Sequence, residues 1–199
     1  MLSLDKLHVQ FGGFVVLDDV SMSFSNNKFY LVMARNGSGK STLLNAISGL
    51  TPYSGKIDHD YQTNEIFYSP NDFIFDSNMS GYDYLSLYKQ LWSSNVDIND
   101  AIKLLKLDSF IHKKINSYSL GMKQMFVLAL YVVSDTTVWL MDELNNGLDE
   151  ANSEILKSVL QSGKNAGKMI IFVTHQPQDL FDLADITVSL NDGRLISND

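Results

Sequence analysis

Residues 29–42 read FYLVMARNGSGKST, and that stretch decides the fold. Phe29 to Met33 is a short continuous apolar run, the pattern of a strand buried on both faces. From Ser41 to Leu50, Leu43, Leu44 and Ile47 recur on one face of a helix that ends near Gly49. A glycine-rich loop between a buried strand and a helix is the setting that makes GxxxxGK[ST] a phosphate site. Gly37 and Gly39 let the backbone turn tightly and aim N–H groups at phosphate oxygens, and the helix N-terminus adds partial positive charge. Lys40 is placed to reach β- and γ-phosphates, and the Ser41 hydroxyl is placed for Mg²⁺. The candidate phosphate-binding residues are Asn36, Gly37, Ser38, Gly39, Lys40, Ser41 and Thr42. Ala34 stands where the full pattern has glycine, which is tolerable if φ there stays negative.

Two further apolar runs end in polar residues. VWLMDE, residues 138–143, closes on two carboxylates. Asp142 can hold Mg²⁺ through water, and Glu143 can polarise an attacking water as a general base. The pattern predicts that this strand lies side by side with the 29–33 strand in one parallel sheet, with ligand at the carboxyl ends. Met169 to Val173 is a third buried strand, followed by Thr174-His175. It delivers His175 to the same sheet edge, where an imidazole can hydrogen-bond a γ-phosphate or the attacking water.

Around these runs, residues 1–10 alternate through Leu2, Leu4, Leu7 and Val9, a strand signal, and Val20, Met22 and Phe24 continue a second strand. Residues 53–57 contain a turn at Ser54-Gly55, and 65–69 are a short strand. Residues 80–116 are helical in pattern, 122–133 a strongly apolar helix, 150–162 an amphipathic helix and 179–184 a short helix. Asn191-Asp192-Gly193 closes a hairpin. The class is α/β: one domain spanning 1–199, with a core of about 1–72 and 126–199, an antiparallel β part, and a helical subdomain inserted at about 73–125.

Composition bounds the partners. The formal net charge of -8 and pI near 4.8 argue against a nucleic-acid backbone, which needs clustered Lys and Arg. No cysteine is present, so disulfides and thiolate zinc sites are excluded and a cytosolic setting is the simple reading. The N-terminus has no basic region followed by an apolar core, and no stretch approaches the roughly 18 apolar residues a spanning helix needs.

The motifs in chain order are ARNGSGKST, YSLGMKQ (118–124), VWLMDE, NGLD (146–149) and TH (174–175). That order resembles the ATP-binding cassette (ABC) family over essentially the whole chain. YSLGM is similar to the family signature, usually written LSGGQ, with Ser119 and Gly121 retained and Leu120 and Met122 departing. The resemblance implies a P-loop NTPase core of the RecA-like kind, ATP and Mg²⁺ as ligands, and ATP hydrolysis coupled to transport. It implies that two cassettes pack head to tail, so that Ser119, Leu120, Gly121 and Met122 face the γ-phosphate held by Lys40 of the other cassette. It makes Asp149 the D-loop aspartate, His175 the switch histidine and Phe11 the ring that stacks on adenine. Asn71 falls where the family's Q-loop glutamine stands, with roles in catalysis, in Mg²⁺ contact and in coupling to a permease; asparagine is one methylene shorter. Leu144 replaces a common proline, and Met125 a common arginine.

The SLGMKQ variant resembles the signature of subunits serving bacterial drug, bacitracin and lantibiotic export. The expected protein is therefore the ATPase of an exporter, peripheral on the cytoplasmic face of the membrane through integral permease subunits. The aromatic stretch Phe73, Phe75, Tyr82, Tyr84, Tyr88 and Trp92 is read mainly as the helical lobe's core, with some subset receiving a permease helix. The alternative is a soluble ABC ATPase of iron–sulfur assembly, or one acting on nucleic acid or the ribosome. Chromosome-organising members insert long coiled coils between P-loop and signature, for which residues 41–118 are too short, and translation-factor members carry two cassettes and a basic linker.

Overall fold

The computed structural model describes residues 1–70 and 73–197. Two sheets frame the molecule. The first is antiparallel, built from β1 (Leu2–Phe11), β2 (Phe14–Phe24) and β4 (Ser54–His59) in the order β2-β1-β4. On β1 the expected alternation buries Leu2, Leu4, Leu7 and Val9. The step from Leu4 to Leu7 is one residue too long for a pleat of period two. A bulge absorbs the extra residue, with Lys6 at φ 49. β4 corrects the expectation of a turn at Ser54-Gly55. These residues pair with β1 across that bulge, and a Cβ on Gly55 would lie 2.2 Å from the Lys6 carbonyl oxygen. Glycine here serves close backbone approach, not a reversal of the chain.

The second sheet holds β3 (Phe29–Ala34), β5 (Ile66–Tyr68), β6 (Val138–Asp142), β7 (Met169–Thr174), β8 (Ile186–Asn191) and β9 (Arg194–Ser197). Its order is β5-β6-β7-β3-β8-β9, parallel throughout except β9 against β8. β3 and β6 are therefore not side by side, as the sequence led us to expect. β7 lies between them and pairs with both. Periodicity marks a strand as buried but says nothing about which neighbour it takes.

The continuous apolar runs are explained by cover on both faces. On one face Tyr30, Val32, Leu140, Ile171 and Val173 pack with β1, β2 and helix α1 (Lys40–Ile47). On the other, Phe29, Leu31, Phe67, Met141, Ile170 and Phe172 pack with the remaining helices. These are α2 (Gly81–Leu91), α3 (Ile98–Leu104), α4 (Leu120–Ser134) and α5 (Glu150–Asn165). The region expected to be helical from 80 to 116 is two helices, separated by a polar turn at Ser93, whose φ is 52, and followed by a short 3₁₀ turn at Ile115–Ser117. The short helix expected at 179–184 is a 3₁₀ turn, Gln178–Leu180, followed by further turns.

The helices start where side chains cap them. Ser80 accepts from the Asp83 N–H, Asp97 from the Asn99 and Asp100 N–H groups, Ser119 from Met122 and Asp149 from Asn152. α1 is the exception: its cap is Gly39, at φ 98, and no side chain bonds its first turn. α4 runs unbroken past residue 125, with Phe126 fully buried against Phe75, Tyr84 and Tyr118. Tyr88 and Trp92 pack on Phe67, so much of the aromatic stretch is interior. Phe73 is half exposed and Tyr82 lies against His112.

Candidate functional site

Three strands of the second sheet end at one cleft. β3 runs into the loop Arg35–Gly39, which opens α1; β6 ends at Asp142; β7 ends at Thr174. A cleft of about 320 Å³ is lined by Asn36, Gly37, Gly39, Lys40, Ser41, Thr42, Asp142 and Glu143. Ala34 is the last residue of β3 and is not among the residues with positive φ, so the departure from glycine carries no backbone strain. Gly39 cannot be replaced as easily. At φ 98 a Cβ would be strained, and it would meet Val16 Cγ1 at 3.0 Å and Leu17 Cδ2 at 3.2 Å. The first turn of α1 thus presents uncapped N–H groups over a glycine that β2 holds in place, which suits an anion.

Lys40 is buried, and its ammonium lies 3.0 Å from Glu143 Oε1. It also donates to the Ala34 and Arg35 carbonyls and to Asn36 Oδ1. Glu143 is in turn 2.7 Å from His175 Nδ1 through its other oxygen. Lys40, Glu143 and His175 therefore form one continuous polar chain along the strand ends. The Glu143 backbone sits at φ 55, rare for a residue with a Cβ, with its N–H held by the Val173 carbonyl. Such strain at a buried acid is the kind stored at reactive sites.

Ser41 Oγ donates to Asp142 Oδ2 at 2.6 Å. A hydroxyl and a carboxylate in contact supply the hard oxygen ligands Mg²⁺ favours. No cluster of three or more His, Cys, Asp or Glu side chains able to hold a metal occurs among the described residues. The donor set fits an ion that takes few protein ligands and completes its shell with phosphate and water.

The remaining expected residues lie elsewhere. Ser119 caps α4, and Gly121 packs on the loop after Glu143: its Cβ would come 3.2 Å from the Gly147 carbonyl oxygen. Leu120 is exposed and packs on Gly147, while Met122 is half-buried. None of Ser119 to Met122 lines the Lys40 cleft. Asp149 caps α5 by accepting from the Asn152 N–H at 2.8 Å. Phe11 is half exposed at the tip of the β1–β2 hairpin, where Gly12 and Gly13 both have positive φ, as a two-residue turn requires. Asn71 lies outside the described residues. The sequence reading passed over Asn145, which follows the strand-end acids and hydrogen-bonds Thr174 and Gln176. Only the polar run Asn145-Asn146 hinted at it.

The family model for ABC transporters matches residues 17–146, about two-thirds of the sequence and the stretch holding the phosphate loop, Ser119 and the strand-end acids. The chain belongs to the ABC transporter family. It is an ATP-binding ABC ATPase, and the likeness extends beyond that stretch. It is 33% identical over 192 residues to the uncharacterized ABC transporter ATP-binding protein YybJ of Bacillus subtilis, covering 90% of this chain and 88% of that one. It is 28% identical over 218 aligned positions to the ribose import ATP-binding protein RbsA of Lactococcus lactis, covering 98% of this chain but 44% of that relative. A solved ATP-binding subunit of an ABC transporter superposes with a TM-score of 0.89 at 20% identity, over 100% of this chain and 90% of that one. The P-loop NTPase fold is thus shared. No helix among the described residues of this ABC ATPase is long and apolar enough to cross a membrane.

Proposed function

We propose that this ABC ATPase hydrolyses ATP as one of two head-to-tail cassettes that drive a membrane exporter. The observation that carries the reading is the Lys40–Glu143–His175 chain beside the Ser41–Asp142 pair at one sheet edge. Lys40 and the N–H groups of the loop bind the phosphates. Ser41 and Asp142 would hold Mg²⁺, which would supply charge neutralisation of the phosphates. Glu143 takes the proton of the attacking water, and His175 holds both that carboxylate and the γ-phosphate. Phe11 stacks on adenine.

Ser119 and the α4 N-terminus lie outside their own chain's cleft, which supports action on the nucleotide of a second cassette, the same chain or a homologous one. Asp149 joins that contact, and Asn71 couples it to permease subunits. The chain from 1 to 199 acts as one nucleotide-binding domain, with core 1–72 and 126–199 and helical lobe 73–125. It sits at the cytoplasmic face of the membrane through the permease and takes no nucleic acid, in keeping with its charge of -8. Export rests on the SLGMKQ signature, set against one relative whose name records ribose import. Phosphate release from ATP by the purified chain, abolished in Lys40→Ala, is the test; an unchanged rate in that variant refutes the assignment.

A further inference from the structure

The turn that carries His175 is held from the neighbouring strand end by one side-chain amide in addition to Glu143. Asn145 Nδ2 donates to the Gln176 carbonyl at 2.7 Å, and Asn145 Oδ1 lies 2.9 Å from Thr174 Oγ1. Its partners are therefore the two residues that flank His175. Chemistry fixes which way the amide points. A backbone carbonyl can only accept, so the NH₂ group must face Gln176 and the carbonyl oxygen must face Thr174.

The Thr174 hydroxyl has one proton and is fully buried. It accepts from the Gln176 N–H at 3.0 Å, so its own proton is free to go outward. Two acceptors compete for it: Asn145 Oδ1 at 2.9 Å and Glu143 Oε2 at 3.2 Å. The nearer one is Asn145. With that proton directed to the amide, Glu143 Oε2 is left to His175, whose Nδ1 is 2.7 Å away.

We propose that Asn145 is a positioning residue for ATP hydrolysis. It clamps Thr174 and Gln176 so that the imidazole between them keeps its place on the Glu143 carboxylate, and it keeps the Thr174 hydroxyl from turning onto that carboxylate. This rests on the reading of Glu143 and His175 as the hydrolytic pair. Asn145 itself does not line the phosphate cleft, so its effect belongs to turnover and not to nucleotide affinity.

The test uses the full chain with Asn145→Leu, which keeps the volume and removes both hydrogen bonds, and Asn145→Ser, which carries the measurement if the leucine variant does not fold. Steady-state kcat and KM for ATP, ATP affinity and melting temperature are measured for each, alone and combined with His175→Ala. We expect kcat to fall roughly tenfold with KM within about twofold, the size usual for coupled neighbours. We expect the further loss to vanish in the His175→Ala background. A wild-type kcat in Asn145→Leu or Asn145→Ser overturns the proposal, as does the same loss with and without His175. A loss of ATP affinity equal to the loss of kcat also overturns it. His175→Ala turning over at the wild-type rate refutes the role of His175 itself, and the Asn145 proposal falls with it.

Discussion

Replacing Glu143 by glutamine separates its roles. In the folded chain one carboxylate oxygen meets Lys40 at 3.0 Å and the other meets His175 at 2.7 Å, with the side chain nearly out of solvent. Glutamine has the same length. Its carbonyl can still accept from Lys40, and its NH₂ can donate to His175 Nδ1 in the tautomer whose proton is on Nε2, at the loss of the weaker bonds from Thr174 Oγ1 and the His175 N–H. What disappears is the carboxylate that, in the proposed mechanism, takes a proton from water. Removing a positioned base costs about 10²–10⁴ in rate, or about 3–5 kcal/mol of transition-state stabilisation at 1.36 kcal/mol per decade.

Binding moves the other way. Lys40 meets the Glu143 carboxylate in the structure and, on the proposed reading, would be shared with a phosphate, for which a neutral amide competes less well. A hydrogen bond to a neutral group is worth about 1 kcal/mol less than one to a charged group, which predicts ATP binding up to about fivefold tighter. Phosphate release under single-turnover conditions gives the first number and equilibrium titration the second. Turnover within threefold of wild type would remove Glu143 as the base. Affinity weakened more than tenfold would mean that the carboxylate works in binding. Light scattering on the same variant with Mg-ATP checks the cassette pair: a shift from monomer to dimer is expected, and a chain that binds ATP yet stays monomeric points to a different cassette as its partner.

Three further outcomes follow from the same geometry. Ser119→Arg should leave ATP affinity of the isolated chain unchanged, because Ser119 lies outside its own cleft, while blocking the ATP-dependent dimer; lost binding by the monomer would refute action in trans. Phe11→Ala should weaken ATP by about 1–3 kcal/mol of lost stacking, or roughly 5- to 150-fold, and leave inorganic tripolyphosphate binding untouched; equal losses for both ligands would place Phe11 in the fold rather than on the base. Phe126→Ala should lower stability by about 3–5 kcal/mol in denaturant titration, since the ring is fully buried among Phe75, Tyr84 and Tyr118; a loss below 1 kcal/mol would mean that this cluster is not close-packed.

The parts of the site that were legible in the sequence are those whose chemistry is local. Gly37, Gly39, Lys40 and Ser41 sit on consecutive residues, and the backbone angles that glycine permits are written into the motif. Asp142 and Glu143 are legible for a similar reason, since the apolar run that buries their strand also delivers both acids to the sheet edge. What stayed hidden depends on pairing between distant segments. Ser54-Gly55 reads as a turn because its reason for being glycine, the Lys6 carbonyl oxygen, lies far away in sequence. The neighbour of β3 was misplaced because β6 and β7 carry the same kind of apolar run, and periodicity cannot rank them.

That misplacement has a functional meaning. With β7 in the middle of the three strand ends, the turn after Thr174 lies between the phosphate loop and the strand-end acids. His175 reaches Glu143 from the adjacent strand end, and Glu143 reaches Lys40 across the end of β7. The strand order thus does what no single motif does: it brings the His175 imidazole onto the Glu143 carboxylate. Asn145 lies on the β6 side of that junction and holds the β7 side, which is why a residue with no contact to the phosphate cleft is expected to alter turnover.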